Sequence, residues 1–281
     1  MWKPINPKHS IETMAMVIAV TEPLSSVVYR RIIRGLEPLT FEQGLTVRTP
    51  IQGLALRIEE NSITSKPSLA HGMVFQKQSL VRNHDEQVVS KTAAELVVDP
   101  NQIVFRDMLY SSWFGVSTSL WKMIEGAIPI ITSASDVRMI RLEYLDRFFF
   151  DGVAAEATAH GVIKIGSDLV SPHIYALKDL WHSHTGKLAS LDPVGEIDLD
   201  AVCETKRLFQ VNIDMVDLTA GELAGKRSIG VLTAVEDRFL PNGMEDATLE
   251  MLRTKFDDLH IEAKKLFTNT VDDMMLAEVG L

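Results

Sequence analysis

Apolar and polar residues alternate in several segments of this chain, and in other segments the apolar positions recur every three or four residues. The strongest alternation runs over residues 137–150, and a second clear one covers residues 208–218. Side chains on a strand point alternately to its two faces, so each of these segments predicts a β-strand with one buried face.

Other segments rich in β-branched and apolar residues predict further strands over residues 10–20, 46–59, 73–78, 92–98, 103–107 and 228–239. Asp99, Pro100 and Asn101 are residues typical of a tight turn, so the two strands that flank them are predicted to form a hairpin. The polar run over residues 62–68 predicts a loop.

Helical spacing of apolar residues appears in three segments, residues 24–36, 113–128 and 249–266, and the last is the clearest. The tripeptide Thr21-Glu22-Pro23 resembles a start for the first helix, and Ser111 or Ser112 can cap the second. A shorter helix is predicted within residues 172–181.

The order strand, helix, strands, helix occurs twice, first over residues 11–128 and again over residues 137–267. It predicts an α+β fold in which two similar halves, residues 1–135 and 136–281, form an antiparallel sheet backed by two long helices. No obvious flexible linker separates the halves, so we expect one globule. The face of the sheet without helices would stay open to a partner.

Composition excludes several classes of protein. A formal net charge of −10 disfavours binding to nucleic acid, because an acidic surface repels phosphates. The only cysteine, Cys203, leaves no internal disulfide and fits a reducing compartment. The N-terminus lacks a signal-peptide profile and no apolar run is long enough for a membrane span, so a cytoplasmic location is expected.

His182 and His184 are the best candidates for metal chemistry. Two histidines that are two residues apart in an extended segment project to the same side, so both could reach one metal ion. A third ligand is needed, and the sequence does not nominate one. The simpler interpretation is that both imidazoles pair with the backbone or with water, so no metal or other cofactor is predicted.

Alternation in the strand over residues 137–150 places Arg141, Glu143 and Arg147 on one face. Two guanidinium groups beside a carboxylate could hold an anionic or peptide ligand. A ladder of charges between neighbouring strands is the favoured alternative. Asp146 falls on the mostly apolar face, where a buried carboxylate would require a hydrogen-bond donor.

Two segments resemble a known family. The strand from Arg141 to Arg147 (RLEYLDR) and the helix that ends at Phe267 are similar to a sporadically distributed prokaryotic family whose function is not established. That family has a strand of the type R-Y-I-N-R and a final helix of the type H-x-x-x-x-x-x-F before a T-D turn. The matching residues here are Tyr144, Arg147, His260 and Phe267.

The chain departs from the family pattern at Glu143, where a basic residue is usual, and at Asp146, where asparagine is usual. The resemblance implies no substrate and no catalytic residue, and the patchy occurrence of the family implies a bacterial defence context. The order of elements is also similar to helix-backed sheets such as the TATA-binding-protein saddle, an analogy that concerns architecture alone.

The chain has no dinucleotide fingerprint, nucleophile elbow or zincin helix, and its one phosphate-loop-like stretch, residues 221–227, precedes a strand and lacks the required spacing. We therefore expect a non-catalytic binding or scaffold protein that recognises a protein or peptide, in a bacterial defence or toxin-neutralising system, with room for self-association. The alternative is a ligand- or metal-binding enzyme or sensor that uses His182, His184, Arg141 and Arg147.

Overall fold

A computed structural model describes residues 1–51, 54–59, 62–67, 72–82, 88–191 and 204–281; for residues 54–59, 62–67, 81 and 82 only the backbone is described. Cys203 lies outside the described residues. The α-helices in the described residues are α1 (Ser26–Glu42), α2 (Trp113–Ile124), α3 (Ile128–Thr132), α4 (Leu249–Thr270) and α5 (Asp273–Glu278).

The strands in the same residues are β1 (Trp2–Pro4), β2 (Ile11–Val20), β3 (Val47–Ile51), β4 (Leu54–Glu59), β5 (Ser62–Pro67), β6 (Gly72–Arg82), β7 (Val88–Asp99), β8 (Gln102–Asp107), β9 (Val137–Phe150), β10 (Trp181–Leu191), β11 (Glu204–Asp217) and β12 (Arg227–Leu240). Each predicted strand has a counterpart, but the one over residues 46–59 corresponds to β3 and β4, which belong to different sheets, and residues 52 and 53 lie outside the described residues. The predicted loop over residues 62–68 is wrong, because β5 pairs there with β4 in a separate two-stranded sheet.

One large antiparallel sheet organises the chain, in the order β10-β11-β12-β9-β2-β8-β7-β6-β3, and β1 adds a tenth strand by pairing with the end of β9. The central pair is β9 and β2, the first long strands of the two predicted halves. From this pair outwards the strands run β8-β7-β6 on one side and β12-β11-β10 on the other. The predicted α+β class with a large antiparallel sheet is confirmed.

The sheet buries one face because of the alternation that the sequence shows. In β9, Ile140, Leu142, Tyr144 and Phe148 are buried on the helix side, and the charged residues of the opposite face, Arg141, Glu143 and Arg147, are only partly covered. The hairpin between β7 and β8 also forms as predicted. The Asp99 carboxylate accepts hydrogen bonds from the backbone N–H groups of Asn101 (2.7 Å) and Gln102 (3.2 Å), which fixes the turn.

Three hydroxyl side chains begin the longer helices. Ser25 caps α1, Ser112 caps α2 and Thr248 caps α4, and each accepts a hydrogen bond from an N–H group of the first turn. The predicted start of α1 at Thr21 is therefore too early. The Thr21 hydroxyl instead donates to the carbonyl oxygen of Asp136, 3.0 Å away.

The predicted pair of long helices behind the sheet is not observed in that form. The longest are α4, with 22 residues, and α1, with 17. The helix predicted over residues 113–128 divides into α2 and α3, because the chain turns between Glu125 and Ala127. The short helix predicted within residues 172–181 is a 3₁₀ turn over Pro172–Ala176, and Trp181 already belongs to β10.

Buried apolar side chains from both predicted halves form one hydrophobic cluster between the sheet and the helices. Helix α4 contributes Leu252, Phe256, Leu259 and Ala263, which lie over β12 and β9. None of the helices in the described residues has both the length and the apolar composition that crossing a bilayer requires.

A bulge interrupts the pairing of β2 with β9. The register shifts between Ile11, which lies opposite Asp146, and Thr13, which lies opposite Leu145, so Glu12 is an extra residue. Ser10 and Ile11 consequently line the helix side of the sheet, and the Glu12 carboxylate reaches Arg147 on the open side.

The packing of α4 onto the sheet gives a test of the fold. Replacing the fully buried ring of Phe256 (Phe256→Ala) leaves a cavity, so we expect the free energy of unfolding to fall by about 3–5 kcal/mol in urea denaturation. Ile261→Ala on the same helix is the matched control, since Ile261 is 52% exposed and should cost well under half as much. Equal losses for the two variants would contradict this packing.

Candidate functional site

The predicted charged cluster lies on the open face of the sheet, as the alternation of β9 requires. The Arg141 guanidinium donates to Glu236 (Nη1 to Oε2, 2.9 Å) and to Gln210 (Nη2 to Oε1, 3.3 Å), and it also pairs with Glu143. Burial disfavours the charged form of Arg141, but the carboxylates of Glu143 and Glu236 outweigh burial and raise its pKa above the ordinary value.

Arg147 has a comparable set of neighbours. Its Nε donates to Glu12 Oε2 (2.6 Å), and its Nη1 lies 3.2 Å from Ser228 Oγ and 3.9 Å from Asp214 Oδ1. Asp214 also accepts a hydrogen bond from the Gly230 N–H (3.2 Å). The arginines thus form the ladder of charges between strands that was the favoured prediction, and a binding role for Arg141, Glu143 and Arg147 stays a prediction.

His182 and His184 are exposed on β10, and their ring centroids are 5.3 Å apart. They share the open face with the arginines, but β11 and β12 lie between the two pairs, a separation of three strand spacings or roughly 14 Å. The two pairs therefore do not meet in one cleft. Within the described ranges, no group of three or more His, Cys, Asp or Glu side chains has a metal-holding arrangement.

A second candidate site lies on the opposite, helix-covered side of the sheet. It is a partly open cavity of about 320 Å³ between the start of β2, the strands β9 and β12, the start of α2 and one side of α4. Its polar lining includes His9, Ser10, Tyr110, Asp146, Thr233 and His260. The sequence did not single out this combination of residues.

Helix α4 and strand β9 meet in this cavity through a hydrogen bond of 2.8 Å between the Tyr144 hydroxyl and His260 Nδ1. Trp113, at the start of α2, stacks on the His260 ring with 4.7 Å between centroids. Burial, together with the nearby Lys264 ammonium, lowers the pKa of His260, so its imidazole is neutral at pH 7. Burial also raises the pKa of Tyr144 above its ordinary value and that of Tyr110 to about 12.

Asp146 is the least ordinary group in the cavity, since its side chain faces the core and the residue is only 3% exposed. A buried carboxylate requires a hydrogen-bond donor, and here the donor is the Ser10 hydroxyl, which lies 2.6 Å from Asp146 Oδ1. Burial raises the pKa of Asp146 to about 7, and the Ser10 hydrogen bond acts in the opposite direction. A carboxyl group that exchanges its proton near neutral pH is unusual and often functional.

Some residues of the cavity had a signal in the sequence. Tyr144, His260 and Phe267 are matches to the strand and helix motifs, and Asp146 was the carboxylate on an otherwise apolar face. His9, Ser10 and Tyr110 had none, because they lie outside or at the ends of the regular elements and reach the cavity only through the tertiary fold. The chemistry available here is hydrogen bonding, contact with aromatic rings and proton exchange at one carboxyl group.

Comparisons with known proteins assign no function to either site. No protein-family model matches the chain, and a search of curated proteins finds no match either. The resemblance to a sporadic prokaryotic family therefore stays a prediction from the motifs.

Asp146 makes the stability of the protein depend on pH. Between its ordinary value of 3.8 and its folded pKa of about 7, the folded state holds a proton that the unfolded chain releases, so stability falls as pH rises through this window. The loss is on the order of 4 kcal/mol. Asp146→Asn removes this pH-dependent contribution to the free energy of unfolding. In urea denaturation, the stability of the variant relative to the unsubstituted protein should therefore rise from about pH 4 to about pH 7.

The exposed side chain of Asp168 supplies the control, because Asp168→Asn should change the free energy of unfolding by no more than about 0.5 kcal/mol. A stability difference for Asp146→Asn that does not change with pH would contradict the assignment.

The network around Arg147 gives a separate test. Gly230 has no side chain, and a Cβ atom there would lie 2.7 Å from Asp214 Oδ1 and 3.3 Å from Arg147 Nη1. Gly230→Ala should displace Asp214 and lower the free energy of unfolding by about 1–3 kcal/mol, measured by thermal or urea denaturation. Gly126→Ala, where a Cβ atom would meet nothing within 4 Å, should be neutral or stabilising.

Proposed function

We propose that this chain is a non-catalytic binding protein that takes up an extended segment of a protein or peptide partner along the free edge of β10. One observation supports this most directly. Strand β10 has 11 residues at the end of the large sheet and, in the described part of the chain, pairs with β11 alone. Its outer backbone groups are therefore available to another strand.

The side chains of β10 suit a recognition edge. His182, His184, Gly186 and Leu188 alternate along the open face, and Leu188 is 53% exposed. A shallow pocket of about 290 Å³ lies beside this edge, between β10 and the Leu208, Gln210 and Asn212 side chains of β11. An added strand would point every second side chain to the face on which this pocket lies, which provides a way to distinguish partner sequences.

The edge of β10 has little protection against such pairing. Natural proteins usually shield an exposed edge with proline, a bulge, a very short strand or several charged residues. β10 contains no proline, pairs with β11 without a register shift and has one formal charge, at Lys187. The Lys187 ammonium lies 5.1 Å from the Phe209 ring centroid, on the other face from the histidines.

We further propose that residues 1–135 and 136–281 are two copies of one building block. The matching strand orders on the two sides of the β2 and β9 pair support this, and the absence of an α-helix among the described residues between β9 and β10 is the main difference. A role in bacterial defence or toxin neutralisation, and a cytoplasmic location, remain predictions from the motifs and the composition.

The alternative of an enzyme or sensor built on His182, His184, Arg141 and Arg147 has less support. The arginines have neighbours within the sheet that occupy their donors, and the histidines lie three strand spacings away. We therefore place the predicted partner-binding role of His182 and His184 on the β10 edge.

A phage-displayed library of random linear peptides provides the test. Selected peptides should slow amide hydrogen exchange at alternate residues of β10, because only the N–H groups that point away from β11 gain a partner. Leu188→Glu should weaken binding of a selected peptide roughly tenfold or more, a loss of about 1.4 kcal/mol. Phe114→Glu, on the helix side and 80% exposed, is the matched control and should bind normally.

Failure to select any peptide, or protection that falls outside β10, would overturn the proposal. Self-association of the chain with protection in β10, detected by native mass spectrometry, would instead identify a second copy as the partner.

A further inference from the structure

The cavity between β9 and α4 contains more hydrogen-bond acceptors than the described residues satisfy. The Thr233 hydroxyl and His9 Nδ1 are buried atoms without a hydrogen-bond partner in the described part of the chain, and Thr233 is only 1% exposed. Leaving such atoms unpaired costs stability, so native proteins rarely keep them without a reason.

These acceptors are close to the buried carboxylate. Thr233 lies directly opposite Tyr144 in the pairing of β12 with β9, and Asp146 is two residues further along the same face of β9. This diagonal relation places the Thr233 and Asp146 side chains roughly 6–8 Å apart at their Cβ atoms. His9 reaches the same cavity from the segment before β2, where its ring meets the edge of Tyr110.

The walls of the cavity are aromatic and apolar. Tyr110 and Tyr144 pack edge to face with 5.9 Å between centroids, and Trp113 stacks on His260 beside them. Ile11, Ala263 and Phe267 provide the apolar part.

Aromatic rings attract a cation through their electron-rich faces, and a buried carboxylate repels an anion.

We propose that this cavity binds a small organic molecule through a primary ammonium group, which donates its three hydrogens to Asp146, Thr233 and His9. An ammonium group has three donors and no acceptor, which matches a set of three acceptors. A hydroxyl group has one donor, and a carboxylate has none. The apolar remainder of the molecule would lie against Ile11, Ala263 and Phe267.

This site is independent of the β10 edge, because it lies on the other side of the sheet and uses no residue of β10 or β11. Either proposal can therefore fail without the other.

Binding should depend on pH in a defined direction. Asp146 must release its proton to hold a cation, so affinity rises as pH increases through about 7. The other titratable or charged groups that line the cavity are His9, Tyr110, Tyr144, His260 and Lys264. Protonation of His260 at lower pH would also repel an ammonium ion, so it acts in the same direction as protonation of Asp146.

The test uses a panel of primary amines, namely n-butylamine, 2-phenylethylamine, tryptamine and cadaverine, measured by isothermal titration calorimetry. At least one should bind, and its alcohol analogue, such as 2-phenylethanol for 2-phenylethylamine, should bind roughly tenfold more weakly because it lacks the charge-assisted hydrogen bonds. The carboxylate analogue, 3-phenylpropanoate, should be weaker still.

Two variants identify the site. Asp146→Asn should lower the affinity for the amine roughly tenfold or more and remove most of its pH dependence. Thr233→Val should also weaken binding, yet it should leave the melting temperature equal or higher, since it removes an unpaired buried hydroxyl without changing side-chain size much. Asp168→Asn, at an exposed carboxylate, should bind like the unsubstituted protein.

The proposal is overturned if no amine of the panel binds at millimolar concentration, or if the alcohol and the carboxylate bind as well as the amine. It is equally overturned if a correctly folded Thr233→Val and a correctly folded Asp146→Asn both retain full affinity.

Discussion

The architecture depends on the pairing of β9 with the strands on either side of it. β9 is the only strand in the described residues that pairs with three others, β2, β12 and β1, so it joins the two predicted halves into one sheet. Its 14 residues alternate so regularly that the two faces of the sheet have different chemistry at this strand. One face presents Arg141, Glu143 and Arg147 to a network of paired charges, and the other presents Ile140, Leu142 and Tyr144 to the core.

Both candidate sites depend on the same strand. Asp146 and Arg147 are neighbours in sequence, but the Asp146 carboxyl group faces the partly open cavity and the Arg147 side chain faces the charge network. The β10 edge is joined to β9 through β12 and β11, which hold Asp214 and Gly230 in the Arg147 network. The central strand thus links the geometry of the cavity to that of the proposed recognition edge, although the two share no residue.

Much of the fold could be predicted from local patterns. The periodicity of β9, β11 and α4 is strong, and the Asp99-Pro100-Asn101 turn and the Ser112 cap act over a few residues, so each appears in the sequence. The division of α2 from α3 was not visible, because apolar spacing continues across the break. The polar β5 was missed for the opposite reason, since it lacks the apolar alternation by which strands are found.

The cavity was only partly predictable because its residues come from six separate segments. Alternation alone placed Asp146 on the buried side, and the need for a donor followed from the cost of burying a carboxylate. That the donor would be Ser10, 136 residues away, depends on the register of β2 against β9. The unpaired Thr233 hydroxyl likewise has no signal in sequence, since threonine is an ordinary strand residue.

The bulge at Glu12 has a consequence for how this chain can change by insertion and deletion. Glu12 is the extra residue, so removing one amino acid there would restore regular pairing with β9. The side chains upstream of the bulge would then move to the opposite face of the sheet. Ser10 would then leave the Asp146 carboxyl group without its donor, and Arg147 would lose the closer of its two acidic neighbours, Glu12, at the same time. The length of this short stretch should therefore be far less tolerant of variation than its composition.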